Sequence, residues 1–218
     1  MILRLVQKEF ILEVRRKAVI SGISLYLVSI IFICYLTFSL RQNSINEATW
    51  SALFWLSILF ANVNGIAKSF IGEKKGMLIY YYSIASPQAI ILSKIIYNVV
   101  LSLVLALAGF VLFSVFIDNP VQDFTLFITT LVLTSFGFSA CLSLISAIAS
   151  KTNNSNVLMA VLSFPVIIAL LLMAIKITKN ALDGLAPSES QDELINLAAI
   201  NCIMVALAYL LFPYIWRS

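Results

Sequence analysis

Six long apolar runs constrain the fold of this chain more than any other feature of its 218 residues. An α-helix rises about 1.5 Å per residue and the hydrocarbon core of a bilayer is roughly 30 Å thick, so about 20 apolar residues can cross a membrane once. The runs are Ala18–Leu40, Trp50–Ile71, Ala89–Ile117, Phe124–Ala149, Val157–Thr178 and Leu194–Trp216. Because the connections between them are mostly short, we predict a single bundle of six transmembrane helices.

The composition excludes a soluble domain and most kinds of metal or redox site. Hydrophobic residues make up 61% of the chain and charged residues 11%, against about a quarter charged in soluble domains. The chain has no histidine, which removes the most frequent metal ligand and acid–base group. The cysteines Cys34, Cys141 and Cys202 are scattered through apolar runs and are interpreted as small hydrophobic side chains. The expected fold class is therefore an all-α membrane protein without a metal site.

The basic residues divide unevenly between the two sides of the predicted bundle. Of the 14 Lys and Arg residues, three lie on one side, namely Arg41, Lys176 and Lys179, and the other eleven share the side of the two termini. Basic residues are enriched in cytoplasmic connections, so both termini are expected in the cytoplasm. Lys68, Lys94 and Lys176 lie near predicted span ends, where a long side chain can reach the membrane surface.

Residues 1–17 are expected to form an amphipathic helix along the membrane surface, ahead of the six-span domain of residues 18–218. The side chains expected to meet lipid are Leu5, Ile11, Leu12 and Val14, and those expected to meet headgroups and water are Arg4, Lys8, Arg15, Arg16 and Lys17. This pattern is typical of interfacial helices. The alternative is a basic flank that does no more than set the topology.

A few polar residues and one proline interrupt the predicted spans, and each has two interpretations. The positions are Asn62, Asn64, Ser139, Ser143 and Pro165. Serines recur every four residues in the fourth span, so one face of that helix can let a neighbour approach closely. The asparagines can join helices by hydrogen bonds or line a substrate path. Pro165 is expected to kink its helix, either as a structural feature or as a gate.

Aromatic residues near the predicted span ends are interpreted as anchors in the headgroup region. They are Trp50, Trp55, Trp216, Tyr209 and Tyr214. Tryptophan and tyrosine are enriched at that depth because each ring has an apolar body and a polar group. We therefore expect these side chains at the membrane surface rather than in a ligand site.

The chain has no motif with which it could bind ATP by itself. The G-x-x-x-x-G-K-[ST] phosphate loop is absent, and GEKKGM at residues 72–77 lacks the Gly-Lys-Ser/Thr ending. The predicted spans carry no acidic residue at mid-depth, which disfavours an ion-coupled transporter. The sequence offers no nucleophile paired with a base, so nothing in it indicates an enzyme. If ATP drives this protein, a separate subunit must bind it.

A basic and aromatic connection, GEKKGMLIYYYSIASPQ at residues 72–88, separates the second and third spans. It contains Glu73 with Lys74 and Lys75, followed by Gly76, Leu78 and Pro87. Four residues after Pro87, the run ILSK begins at Ile91, and it ends at Lys94. This block is the most specific motif in the chain, and a second one, LSFPVIIALLL, places a proline in the fifth span.

An interfacial helix, six spans, a cytoplasmic connection of this kind and no ATP site together resemble the permease subunits of ABC-2-type transporters. The similarity is closer to the CcmB family, the haem exporter permease of cytochrome c maturation, and it extends over essentially the whole chain in length and number of spans. One departure is Ile79, which stands after Gly-x-Leu where many members of the family have glutamate. A contact made by that acid would have to be made differently here, for example through Glu73 or the tyrosines.

The resemblance implies that residues 72–88 form a coupling helix that docks into a cleft on a cytoplasmic ABC ATPase. The residues assigned to this interface are Glu73, Gly76, Met77, Leu78, Tyr80, Tyr81 and Pro87. Aromatic side chains are frequent anchors in protein interfaces, and Ser86-Pro87 is a helix boundary signal ahead of the third span. Two copies of the chain would then work with two ATPase subunits.

The resemblance also implies the setting in which the chain works. Its expected location is the bacterial cytoplasmic membrane, with a haem-handling membrane protein, a periplasmic haem chaperone and membrane lipids as partners. ATP would act through the ATPase and haem would be a cargo, so neither a covalently bound cofactor nor a nucleic-acid partner is expected. The expected output is haem export or release of the loaded haem chaperone.

Two other functions remain open on the sequence. The first keeps the ABC-2 permease and changes the cargo to a lipid, a polysaccharide or a drug. The second is a membrane scaffold that organises partner proteins without transport. The identity of the proteins that bind residues 72–88 distinguishes these possibilities.

Overall fold

The computed structural model describes residues 2–15, 17–39, 45–66, 70, 85–151 and 155–217, which are almost entirely helical. The helices are α1 (Ile2–Arg15), α2 (Lys17–Ser39), α3 (Glu47–Ile66), α4 (Pro87–Phe116), α5 (Phe124–Ala149), α6 (Ser155–Leu182) and α7 (Gln191–Arg217), with a short 3-10 helix at Pro187–Ser190. Helices α2 to α7 are each long and apolar enough to cross a membrane. This confirms the all-helical fold and the six predicted spans of a multi-pass membrane protein.

Helix α5 is the centre of the bundle and contacts α3, α4, α6 and α7. Small residues make this central position possible, because Ser135, Ser139 and Ser143 are fully buried along one side of the helix. Small side chains let helix backbones approach closely, which is the main route to tight packing between helices in lipid. By contrast, most side chains at residues 21–38 of α2 are exposed, so this part of α2 lies at the edge of the bundle.

The two ends of the bundle are held differently. At the end where α3 begins and α4 ends, the backbone N–H groups of Gln122 and Asp123 donate to the carbonyl oxygen of Ala181, at 3.2 and 3.0 Å. The indole of Trp50 donates to the carbonyl of Asp118 at 3.3 Å. We call the end where α3 begins and α4 ends the distal end. At the opposite end α1 packs against the first turns of α4.

The tryptophans contradict the prediction that they anchor the protein in headgroups. Trp50, Trp55 and Trp216 are 2%, 0% and 4% exposed, and the indole of Trp55 donates to the hydroxyl of Thr178 at 2.8 Å. Position along a span gives the depth of a residue but not the face of the helix on which it lies. The indoles of Trp50 and Trp55 donate their N–H groups inside the bundle, as buried tryptophans usually do.

Three aromatic residues of α3, namely Trp50, Phe54 and Trp55, form the core of the distal half. Phe54 is fully buried, and its ring centroid lies 5.4 Å from that of Trp50, 5.5 Å from Phe113 and 5.7 Å from Phe127. These rings come from α3, α4 and α5. The cluster therefore joins three spans, with Phe54 edge to face against Phe113 and tilted against Phe127.

Candidate functional site

The predicted coupling residues fall mainly in a part of the chain that the structure does not describe. Glu73, Gly76, Met77, Leu78, Tyr80 and Tyr81 all lie outside the described residues, and Pro87 lies within them. Both ends of the segment are described, however, with Phe70 just before it and Ser86 and Pro87 at its C-terminal end. The candidate site is therefore built from these flanks and from the residues that hold them.

Phe70 is fixed by contacts with three helices. Its backbone N–H donates to the hydroxyl of Ser146 in α5 at 3.2 Å, and its ring centroid lies 5.4 Å from that of Phe212 in α7. The ammonium of Lys94 in α4 lies 4.7 Å from the centre of the Phe70 ring. Phe70 is 3% exposed, so the chain enters the coupling segment from a buried position.

Ser86 and Pro87 fix the other flank of the segment. The Ser86 side chain accepts a hydrogen bond from the Ala89 N–H at 3.4 Å and caps α4, and Pro87 is the first residue of the helix. Proline suits this position because its missing N–H would be unpaired there anyway. The predicted boundary is thus a helix start, two residues before the expected beginning of the span at Ala89.

Lys94 differs from the prediction that its side chain reaches the membrane surface. It is 1% exposed, and its ammonium lies 3.5 Å from a carboxylate oxygen of Glu9 in α1. Glu9 also pairs with Lys8 at 2.7 Å. One turn further along α4, Tyr97 meets Phe10 of α1 edge to face, with the ring centroids 5.0 Å apart. An ammonium buried in a membrane protein is costly unless it is paired, and Glu9 supplies the pair.

Asn98 joins α4 to α5 beside Lys94. Its amide nitrogen donates to the hydroxyl of Ser143 at 2.7 Å, and both side chains are buried. Ser139 lies one turn away and donates instead to the carbonyl of Ser135 in its own helix, at 2.7 Å. We call the set Glu9, Phe70, Lys94, Asn98, Ser143 and Ser146 the junction. It links α1, α4 and α5 to the entry of the coupling segment.

The other polar positions predicted in the spans lie outside the junction. Asn62 is fully buried and Asn64 is exposed, and each amide nitrogen donates at 2.9 Å to the carbonyl four residues earlier in α3. The Asn62 side-chain oxygen has no hydrogen-bond partner within the described part of the chain. Pro165 lies inside α6 with an exposed side chain. The two asparagines therefore donate along their own helix rather than to a neighbouring one.

Two contributors to the bundle escaped the sequence analysis. Asn201 of α7 donates to the carbonyl of Leu133 in α5 at 2.8 Å. Gly137 of α5 lies against it, since a Cβ atom built on Gly137 would be 2.5 Å from the Asn201 side-chain oxygen. A lone asparagine in an apolar run and a glycine in the facing run were the available signals. Neither residue type indicates which residue of another helix it contacts.

A family model described as CcmB protein matches residues 1–215, which include the coupling segment and every residue of the junction. The chain belongs to the CcmB family. This confirms the resemblance found in the sequence, and it makes the protein a multi-pass membrane permease of haem transport in cytochrome c biogenesis. Membership also places the chain among ABC transporter systems that work with partner proteins. No curated protein and no solved structure matches the chain.

In this CcmB family member, the hydrogen bond from the Phe70 N–H to the Ser146 hydroxyl can be tested by mutation. We expect Ser146→Ala to raise the hydrogen-exchange rate of the Phe70 amide about fivefold, because such a hydrogen bond contributes about 1 kcal/mol. Exchange would be followed by mass spectrometry of the purified protein. Ser139→Ala is the matched control, since that hydroxyl bonds within its own helix. Equal rates in both variants would show that Ser146 does not hold Phe70.

Proposed function

We propose that this chain is the membrane-spanning subunit of an ABC transporter in which ATP hydrolysis by a partner ATPase drives haem export or release of the haem-loaded periplasmic chaperone. The observation that carries the proposal is the coupling segment with two fixed flanks. Phe70 is held by α4, α5 and α7, and Ser86 caps α4. A displacement of the segment between them would therefore act directly on the bundle.

The proposed orientation puts the junction in the cytoplasm. The helix ends at the junction carry most of the Lys and Arg residues of the chain, which favours the cytoplasmic side. Helix α1 would then lie along the inner leaflet of the bacterial cytoplasmic membrane. Its exposed apolar side chains support this, since Leu3 and Ile11 are 84% and 48% exposed and would face lipid.

The mechanism requires an energy difference at the coupling segment. An ATPase can shift the bundle between two arrangements only if its nucleotide states contact the segment with different free energies. Met77, Leu78, Tyr80 and Tyr81 would supply the apolar and aromatic face that fills a cleft on the ATPase. Because the chain lacks a phosphate loop, ATP would be bound by the partner, and this subunit would not itself be an enzyme.

The proposed assembly contains two copies of this chain and two ATPase subunits. A haem-handling membrane protein and a periplasmic haem chaperone would complete it. The chain has no histidine, so haem would meet the apolar surface of this subunit rather than an imidazole ligand. The proposed result of ATP hydrolysis is therefore release of the haem-loaded chaperone, rather than binding of haem at a site inside the bundle.

Affinity purification of the tagged protein from native membranes, followed by mass spectrometry, tests the proposal. We expect an ABC ATPase together with haem-handling proteins. The variant Tyr80→Ala/Tyr81→Ala is expected to lose the ATPase, because it removes two aromatic anchors from the proposed interface. The variant Tyr209→Ala/Tyr214→Ala is the control, since both of these tyrosines are exposed on α7 outside the segment.

Each result points to one function. An ATPase recovered with unrelated neighbours would indicate another cargo, such as a lipid, a polysaccharide or a drug. The absence of any ATPase would contradict the transporter and support a membrane scaffold. An ATPase that stays bound in the Tyr80/Tyr81 variant would mean that another part of the chain makes the contact.

A further inference from the structure

We propose that Lys94 and Glu9 form an electrostatic latch that transmits movement of the coupling segment to α1. The proposal rests on the function proposed above and adds a positioning role for Lys94, the last residue of the ILSK motif. Its ammonium lies between Phe70, at 4.7 Å from the ring centre, and Glu9, at 3.5 Å from a carboxylate oxygen. One charge therefore contacts both the entry of the coupling segment and α1.

The burial of Lys94 indicates a role beyond stabilisation. Its side chain is 2% exposed and that of Glu9 is 13% exposed, so both charges have been taken largely out of water. A buried ion pair often stabilises a fold no better than apolar side chains of the same size, because desolvation offsets the attraction. Apolar side chains in place of both Lys94 and Glu9 would thus fill the same space without loss of stability. Apolar side chains, however, would not respond to the position of a carboxylate or of an aromatic ring.

The two sides of α4 are joined to their neighbours by different forces. Toward α5, Asn98 and Ser143 make a neutral hydrogen bond of 2.7 Å, which depends on close contact and holds the helices in one register. Toward α1, the charge pair acts over a longer distance and is strengthened by the low dielectric constant of its surroundings. A shift of Phe70 that moves the ammonium would therefore change the attraction on Glu9 while α4 and α5 stay together.

Helix α1 is suited to receive this signal. Its exposed face carries apolar side chains, and its described contacts with the bundle are made mainly to α4. Beside the ion pair, Phe10 meets Tyr97 edge to face at 5.0 Å. A change in the attraction on Glu9 would tilt or release a helix whose other described contacts, with α2, are fewer than those with α4. In the orientation proposed above, the coupling segment and the helix on the membrane surface would then move together.

Hydrogen exchange on the intact complex in lipid nanodiscs tests the latch. The complex would be purified with its ATPase and compared without nucleotide and with ATP plus vanadate, following the peptides of residues 2–15 and 71–84. In the unaltered protein we expect both peptides to change their exchange rates. In Lys94→Met and in Glu9→Gln we expect residues 71–84 to respond as before and residues 2–15 to lose their response.

Two further variants serve as controls. Lys94→Arg keeps a cation that can lie over a ring and pair with a carboxylate, so it should restore the response of α1. Lys176→Met removes a lysine that pairs with Glu193 at the distal end, and it should leave both responses intact. A merely structural role for Lys94 would alter the basal exchange of α1 without abolishing its dependence on nucleotide.

The outcomes separate the latch from the function on which it rests. If residues 2–15 respond in Lys94→Met as in the unaltered protein, or if only residues 71–84 respond in the unaltered protein, the latch is wrong and the coupling function stands. If residues 71–84 do not respond in the unaltered protein, the coupling function itself fails. Glu9→Gln, which leaves α4 unchanged, decides the question if Lys94→Met does not fold.

Discussion

Replacing Phe54 by alanine is expected to lower the free energy of unfolding by about 3 kcal/mol, the lower end of the range for buried phenylalanine. The ring is fully buried and contacts Trp50, Trp55, Phe113 and Phe127. Lipid tails are as apolar as the bundle interior, so little of the loss comes from transfer between solvents. The loss comes from the cavity, because the rings of three helices would each lose a neighbour.

Phe60→Ala is the matched control for this prediction. Phe60 lies on the same helix, is 48% exposed and faces away from the aromatic cluster. Unfolding of both variants would be measured by titration with sodium dodecyl sulfate in mixed micelles. We expect Phe60→Ala to change the free energy by less than about 0.5 kcal/mol, as surface substitutions usually do. Similar losses in the two variants would mean that the aromatic cluster is not the stabilising core of the distal half.

Gly137→Val is expected to destabilise the bundle by about 3 kcal/mol, the upper end of the range for overpacking. A Cβ atom alone would lie 2.5 Å from the side-chain oxygen of Asn201 and 2.9 Å from a methyl carbon of Leu170. These residues belong to α7 and α6, and both are buried. The added side chain would therefore push two helices away from α5 and break the Asn201 hydrogen bond to Leu133.

The same substitution at Gly22 separates crowding from the intrinsic effect of valine in a helix. A Cβ atom at Gly22 has no neighbour within 4 Å among the described residues, and α2 lies at the edge of the bundle. We expect Gly22→Val to leave the unfolding transition nearly unchanged in the same titration. If Gly137→Val were as stable as Gly22→Val, the close approach of α5, α6 and α7 at Gly137 would be contradicted.

The six spans could be predicted because crossing a membrane is a requirement on length and composition. The predicted run Phe124–Ala149 coincides with α5, and the other runs differ from their helices by a few residues at each end. The largest extension at a described terminus is at α6, which continues from Thr178 to Leu182. Backbone hydrogen bonding carries a helix past the last apolar residue, and Lys179 pairs with Asp183 at 2.5 Å across this turn.

Which aromatic and charged residues are buried in the bundle could not be predicted from the sequence. Trp55 and Phe60 are both aromatic residues of α3, yet one is fully buried and the other is half exposed. Lys94 lies at the depth expected for a lysine that reaches the membrane surface, but it points into the bundle toward Glu9. In lipid the outside of a bundle is as apolar as its inside, so hydrophobicity does not mark the buried face of a helix.

By itself the sequence determined the number of spans, their depth in the membrane, the charge difference between the two ends and membership of the CcmB family, because each of these depends on residue type and order along one chain. Only the tertiary structure decided that Glu9, Phe70 and Lys94 meet, and that Asn98 bonds to Ser143. Glu9 and Lys94 are separated by two spans in the sequence. Their contact depends on the rotation of each helix about its axis, which close packing against α5 sets and composition does not encode.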